Sequence, residues 1–458
     1  MGGVFPDTVR GHLILMVVAA VVTHAALLVG RHSPFCSRNG DAEMQRFSLI
    51  PVRVIPAPLG AAFLVTVLAV PLHGQSGCEA PLLKPSIAVS VPGKPFQALP
   101  SLDGCWVFVS IPDMSGGSGG IAVLSRANGT LAMKSLTRVD ASPVGMVLTH
   151  DGRMLIASAG QRIIFLDVKR LVSAPDSAVL GYLDEPGRAR QLGRIYANIT
   201  SDDSTLFVAD ERAQTITVVD MAKARATNYT AASIVGQIPT GSAPIALTFS
   251  PDGKTLFATS QLGPASLRWP AACKREQGSN MNFVNPQGAI HIIDVQRAKT
   301  DPAHAVLRSV PAGCNPVRLV LSPSGDRAYV TARGNNALLV FDTARLMNDP
   351  ARSLIGRVEV GTAPVGIAVV DEGRRVIVTN SNRFAGAADD KQFLTVVDAT
   401  QIGGSDADHI VIGSIPAGAF PREMRVTSDG RTLILTNYSS GTVQAIDLTH
   451  LPVVPAQR

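Results

Sequence analysis

The sequence predicts an all-β chain, a seven-bladed β-propeller of four-stranded antiparallel blades closed by an N-terminal strand that completes the last blade. Three observations carry this. The first is a hairpin unit, GSAPIALTFSPDGKTLFATS at Gly241 to Ser260, in which Ile245, Leu247 and Phe249 alternate with smaller or polar residues at the period of a pleated strand and Asp252-Gly253 supplies the turn. The second is its recurrence: turns at Asp103, Asp151, Asp202, Asp252, Ser324-Gly325-Asp326, Asp371-Glu372-Gly373 and Asp429 each join two apolar strands. A repeat of about 40–50 residues with four short strands is a propeller blade, and seven turns mean seven blades. The third is a spare strand, Ile87 to Val91, which runs into PGKP as other fourth strands run into the next blade. Blade seven lacks a fourth strand, because only LTHLPVVPAQR follows Asp447 and its prolines suit a strand poorly.

After each hairpin comes a third strand ending in aspartate, at Asp167, Asp220, Asp294, Asp342, Asp398 and Asp447. A carboxylate at the same place in six blades is read as a cap on the following turn rather than as chemistry. The fourth strands are plainest at Ile234 to Thr240 and Leu354 to Val360. A hydrophobic content of 46% with only 5% aromatics fits blades that pack on both faces through small and β-branched side chains.

The hairpin and third strand of Gly361 to Asp398, GTAPVGIAVVDEGRRVIVTN followed by LTVVD, resemble the motif of the YVTN-type repeat propellers, a group that includes YncE-like and lactonase-like seven-bladed members. The resemblance covers residue 86 to the C-terminus and speaks for fold more than for chemistry, since one fold hosts unrelated functions.

Residues 79–458 form the propeller; the first 78 are of another kind. Residues 12–30 form an apolar run long enough for a membrane helix. Leu59 to Val70 has the form of a secretory h-region, preceded by Arg46 and Arg53 and followed by the small-residue stretch HGQSGC. One reading takes 44–78 as a signal peptide begun at Met44 and 1–43 as a mis-assigned extension; the other takes 12–30 as a tether. Both predict an extracytoplasmic propeller in the periplasm, at the cell surface or secreted. Setting Cys36 aside, four cysteines remain, an even number that suits an oxidising compartment. The alternation of loops between the two faces pairs Cys273 with Cys314 and Cys78 with Cys105; lipid on Cys78 is the competing reading.

Insertions after second strands place Ile111 to Gly120, Gln261 to Gln287 and Ser381 to Lys391 on one face, the second carrying Trp269. On that face, entry loops and strand starts set Arg194, Arg212, Arg318, Arg333, Arg383 and Arg422 with Glu423 around the channel mouth. Guanidinium groups there could clamp a carboxylate or phosphate; a solvated rim is the plainer reading. No histidine pair has ligand spacing, and no glycine-rich phosphate loop or haem signature occurs, so neither metal nor cofactor is expected. A net charge of +6 without a basic stripe argues against nucleic acid. The favoured function is a non-catalytic exported monomer that binds an envelope ligand or protein through its loop-rich face. A lactonase-like hydrolase with Glu423 as base and Arg318 or Arg422 holding the substrate is the runner-up, and a redox subunit resembling the amine dehydrogenase heavy chain comes third.

Overall fold

Strand pairing follows the repeat. The computed structural model describes Cys78 and residues 80–114, 117–185, 193–264, 266–268, 273, 286–382, 392–403 and 410–451, so the runs at 12–30 and 59–70 lie outside the described residues. Seven antiparallel sheets of four strands make seven blades. Their innermost strands, which line a central channel, are Gln97–Pro100, Met146–Leu148, Arg194–Ile199, Ser242–Phe249, Pro316–Leu321, Pro364–Val370 and Pro421–Val426. The seventh sheet takes its outer strand from the N-terminal side of the domain: Ser86–Ser90 pairs antiparallel with Thr442–Asp447, Ile87 opposite Ala445 and Val89 opposite Val443.

The apolar core lies between blades. Ala368, Val370, Ile377, Leu394 and Val396 of blade six pack with Met424, Leu433, Leu435 and Ile446 of blade seven, all buried. Blades four and five meet in the same way through Ile290, Ile292, Leu319 and Val330. Each fully buried branched side chain of this kind stabilises the ring by about 1.5–3 kcal/mol, which is why the strands read as near-continuous apolar runs.

Polar residues of the repeat hold the turns. In the Asp-Gly hairpins a hydroxyl two residues before the aspartate donates to its carboxylate while the N–H two residues after it does the same, as in Thr149, Asp151 and Arg153, or Ser250, Asp252 and Lys254. These bonds, led by the hydroxyl one, hold Asp151, Asp202 and Asp252 below the ordinary carboxylate range, and the Ser322 and Ser324 hydroxyls do the same for Asp326. The aspartates that end third strands are N-caps. Asp167, Asp220, Asp294 and Asp342 accept from the N–H three residues on and start the short helices Val168–Ser173, Met221–Ala226, Val295–Ala298 and Thr343–Asn348. The sequence reading anticipated a cap on a turn and missed the helices, each only a turn or so long.

One repeat residue shapes the channel. The threonine of the V-T-N signature, at 259, 331, 379 and 436, sits opposite a bulge in its own blade's inner strand, between Pro244 and Leu247, Pro316 and Leu319, Pro364 and Ile367, and Pro421 and Met424. A bulge frees one N–H from the ladder. Each threonine hydroxyl takes that N–H, from Ala246, Arg318, Gly366 and Glu423 respectively. It then donates to the inner strand of the next blade, at the carbonyls of Val317, Val365, Arg422 and Phe96. The residues re-aimed by these bulges are the ones that fill the middle of the channel.

Candidate functional site

Counting from each blade's entry, the position equivalent to these bulged residues is occupied by Gln97, Gly145, Tyr196, Ala246, Arg318, Gly366 and Glu423. Three of the seven are small because backbone or side chains stand close. A Cβ on Gly145 would lie 2.3 Å from the Ile195 carbonyl oxygen, and one on Gly366 would lie 2.6 Å from that of Arg422. The space they leave is crossed by the large members. Arg318 donates through Nε to Glu423 Oε1 at 2.7 Å and pairs with it again through Nη2. The Tyr196 hydroxyl donates to the same oxygen at 2.9 Å, and the Arg318 guanidinium lies 3.7 Å from the centre of the Tyr196 ring. Burial pulls the Arg318 guanidinium down to about 10, against the pull of Glu423, so it remains charged at neutral pH. Gln97 clamps the backbone of Met146, accepting from its N–H and donating to its carbonyl.

This plug divides the channel. Toward the loop-rich face is a cavity of about 210 Å³ bounded by Arg422, Arg333, Gln261, Glu211 and the top of Arg318. Arg333 is held there by Gln261 and by Asn315 at 2.9 Å. Arg422 is held by rings: its guanidinium lies 3.7 Å from the centre of Phe96, 5.6 Å from Phe420 and 5.7 Å from Tyr438. Its Nε is buried without a hydrogen-bond partner, and burial lowers its pKa while Glu423 and Glu211 oppose the shift.

Of the arginines named from sequence, the structure gathers Arg318, Arg333 and Arg422 at the mouth with Glu423. Arg194 is drawn away: it is buried, paired with Glu185, and donates to the Gln161 carbonyl, so it packs blade two against blade three. Arg212 lines a separate groove of about 630 Å³ between those blades with Asp140 and Arg162. Arg383 and Trp269 lie outside the described residues. Disulfides join Cys78 to Cys105 and Cys273 to Cys314, with Cα atoms 4.7 and 5.2 Å apart. Tyr196, Gln97, Phe96 and Gln261 were missed as channel residues; their register relative to each blade's entry was the available signal.

Among the described residues no group of three or more His, Cys, Asp or Glu could hold a metal ion. His291, in blade four, is structural: its Nε2 meets Ser260 Oγ at 2.9 Å and accepts from the Gly241 N–H, while Nδ1 meets Ser309 Oγ at 2.8 Å. Burial lowers its pKa to about 4. Since an unfolded histidine titrates near 6.5, the unfolded chain takes up a proton between those values that the folded chain refuses. Stability is therefore expected to fall as pH drops from about 6.5 to about 4, by about 3 kcal/mol from this residue, and to level off below. Urea unfolding of wild type against His291→Gln across that window checks it; the variant's profile should be flatter by this amount.

No protein-family model and no curated protein sequence matches this chain. Solved structures do. A chain of hydrazine synthase from Kuenenia stuttgartiensis superposes with a TM-score of 0.56 at 17% identity, over 79% of this chain and 97% of that one. The Cps50 (Swd1) β-propeller domain of Myceliophteria thermophila gives 0.53 at 12% identity, over 79% and 98%. A chain of the mitotic checkpoint complex gives 0.55 at 12% identity, over 87% and 99%. At these identities the likeness is one of fold, and it places this chain among seven-bladed β-propellers.

Proposed function

We propose that this chain is an exported, non-catalytic propeller of the YVTN type that binds a ligand or partner through its loop-rich face, with an anionic group seated at the channel mouth. The observation that carries the reading is Arg422. Its guanidinium is stacked on Phe96 beside Arg333, and no carboxylate lies within ion-pair distance of it among the described residues. A guanidinium so desolvated gains from an anion that reaches its outward N–H groups. The lactonase-like alternative needs Glu423 free to take a proton, whereas its Oε1 is shared by Arg318 and Tyr196 and the residue is buried.

Titration calorimetry with phosphate, acetate and succinate tests the mouth. At least one of these is expected to bind saturably, with affinity falling as salt is raised and falling at least tenfold in Arg422→Gln. Equal binding by the variant, or none by the wild type, would remove the site. Export rests on the h-region at Leu59 to Val70 and the even cysteine set. Intact mass of protein from the native envelope should give an N-terminus between His73 and Glu79; a chain that still begins at Met1 would contradict cleavage.

A further inference from the structure

Below the plug, on the side of the Asp-Gly turns, the channel widens into a second cavity of about 420 Å³, within the range of small-molecule sites. Its wall carries partly exposed aliphatic side chains, Leu99, Val147, Val320 and Val369, among polar ones. The neutral polar residues on the wall are already committed. Asn198 donates through Nδ2 to the Leu247 carbonyl at 2.8 Å and accepts from the Ile199 N–H at 2.9 Å. Thr248 donates to the Leu319 carbonyl at 2.7 Å. These bonds turn the polar atoms of both side chains into the inner strands.

Besides Arg318 of the plug, that wall carries the charged residue Arg425. Its Nη1 donates to the Met424 carbonyl at 2.9 Å and lies 3.7 Å from Glu423 Oε2, and the side chain is partly exposed. Glu423 is already engaged through Oε1 by Arg318. Two guanidinium groups thus flank one carboxylate, and the floor of the plug keeps one positive charge in excess beside this cavity. An apolar body with a single anionic end fits both the partly exposed aliphatic side chains and the excess positive charge.

We propose that this chamber is a binding site for a small amphipathic monocarboxylate, its hydrocarbon among Val147, Val320 and Val369 and its carboxylate on Arg425. The site is distinct from the mouth, because the Arg318, Glu423 and Tyr196 plug stands between them.

Straight-chain carboxylates from butanoate to octanoate are the probes, with binding read by calorimetry on the full propeller. Burial of each added methylene in an apolar site is worth about 0.8 kcal/mol, so affinity is expected to rise about fourfold per methylene along the series. Octanoate should bind with one-to-one stoichiometry, at least tenfold more weakly to Arg425→Gln, and unchanged to Arg422→Gln. Octanoate binding no tighter than butanoate would overturn the proposal, as would Arg425→Gln binding like wild type. A loss confined to Arg422→Gln would move the ligand to the mouth and overturn it too. The chain-length series needs only wild-type protein, so it decides the matter even if a variant fails to fold.

Discussion

Replacing Arg318 with methionine is expected to destabilise the propeller by about 3–5 kcal/mol, more than any other single side-chain truncation in the channel. The reason is the partner left behind. Glu423 is buried, and without Arg318 its Oε1 keeps only the Tyr196 hydroxyl. A charge stranded out of water loses several kcal/mol of hydration that the Tyr196 hydroxyl and Arg425, 3.7 Å from Oε2, return only in part. The double variant Arg318→Met, Glu423→Leu removes both charges and is expected to recover most of the loss, because an apolar pair of similar volume meets the same small neighbours, Gly145, Ala246 and Gly366. A double-mutant cycle in urea measures the coupling. If the single and double variants were equally unstable, Arg318 would be acting through packing on Tyr196 instead.

Deleting residues 79–92 is expected to abolish the cooperative fold. Ser86–Ser90 supplies the outer strand of blade seven, with Ile87 and Val89 packed toward Val107, Ile434 and Val443. Removing it strips five register pairs and leaves Thr442–Asp447 as an open edge. At about 1 kcal/mol net for each lost backbone hydrogen bond, plus the branched side chains, the loss approaches the about 5–15 kcal/mol that holds a whole domain. What remains across the same seam is the packing of Val107 and Val109 on Ile434 and Val443 and a few side-chain bonds. Arg126 reaches Thr432 at 2.9 Å and Asp429 at 3.3 Å, and Thr436 donates to Phe96. Thermal unfolding should lose its sharp transition, and a synthetic peptide of residues 79–92 added in trans should restore it in part. A truncated chain that melts as wild type does would mean that the ring needs no closing strand.

What the sequence by itself determined is whatever repeats. Seven turns, third strands ending in aspartate and an orphan fourth strand are local signals, and repetition multiplies a weak local signal until blade number and closure follow from it. The structural role of the repeated aspartates was legible for the same reason: a group needed in six blades serves the blade. The short helices after those aspartates escaped because so few residues give no periodicity to read.

The candidate site was legible only in part, and the division has a physical cause. Channel residues are the ones on which the repeat disagrees, so Arg318, Glu423 and Arg422 stood out as charges where other blades carry valine, glycine or isoleucine. Which of them meet is set by which side chains cross a ring whose members lie far apart in the chain, Arg318 105 and Tyr196 227 residues from Glu423. No local pattern encodes that pairing, nor the withdrawal of Arg194 to Glu185, nor the bulge that re-aims Tyr196. Only closure of the ring brings the seven entry positions to one axis, and there excluded volume and charge decide which residues plug the channel and which line its chambers.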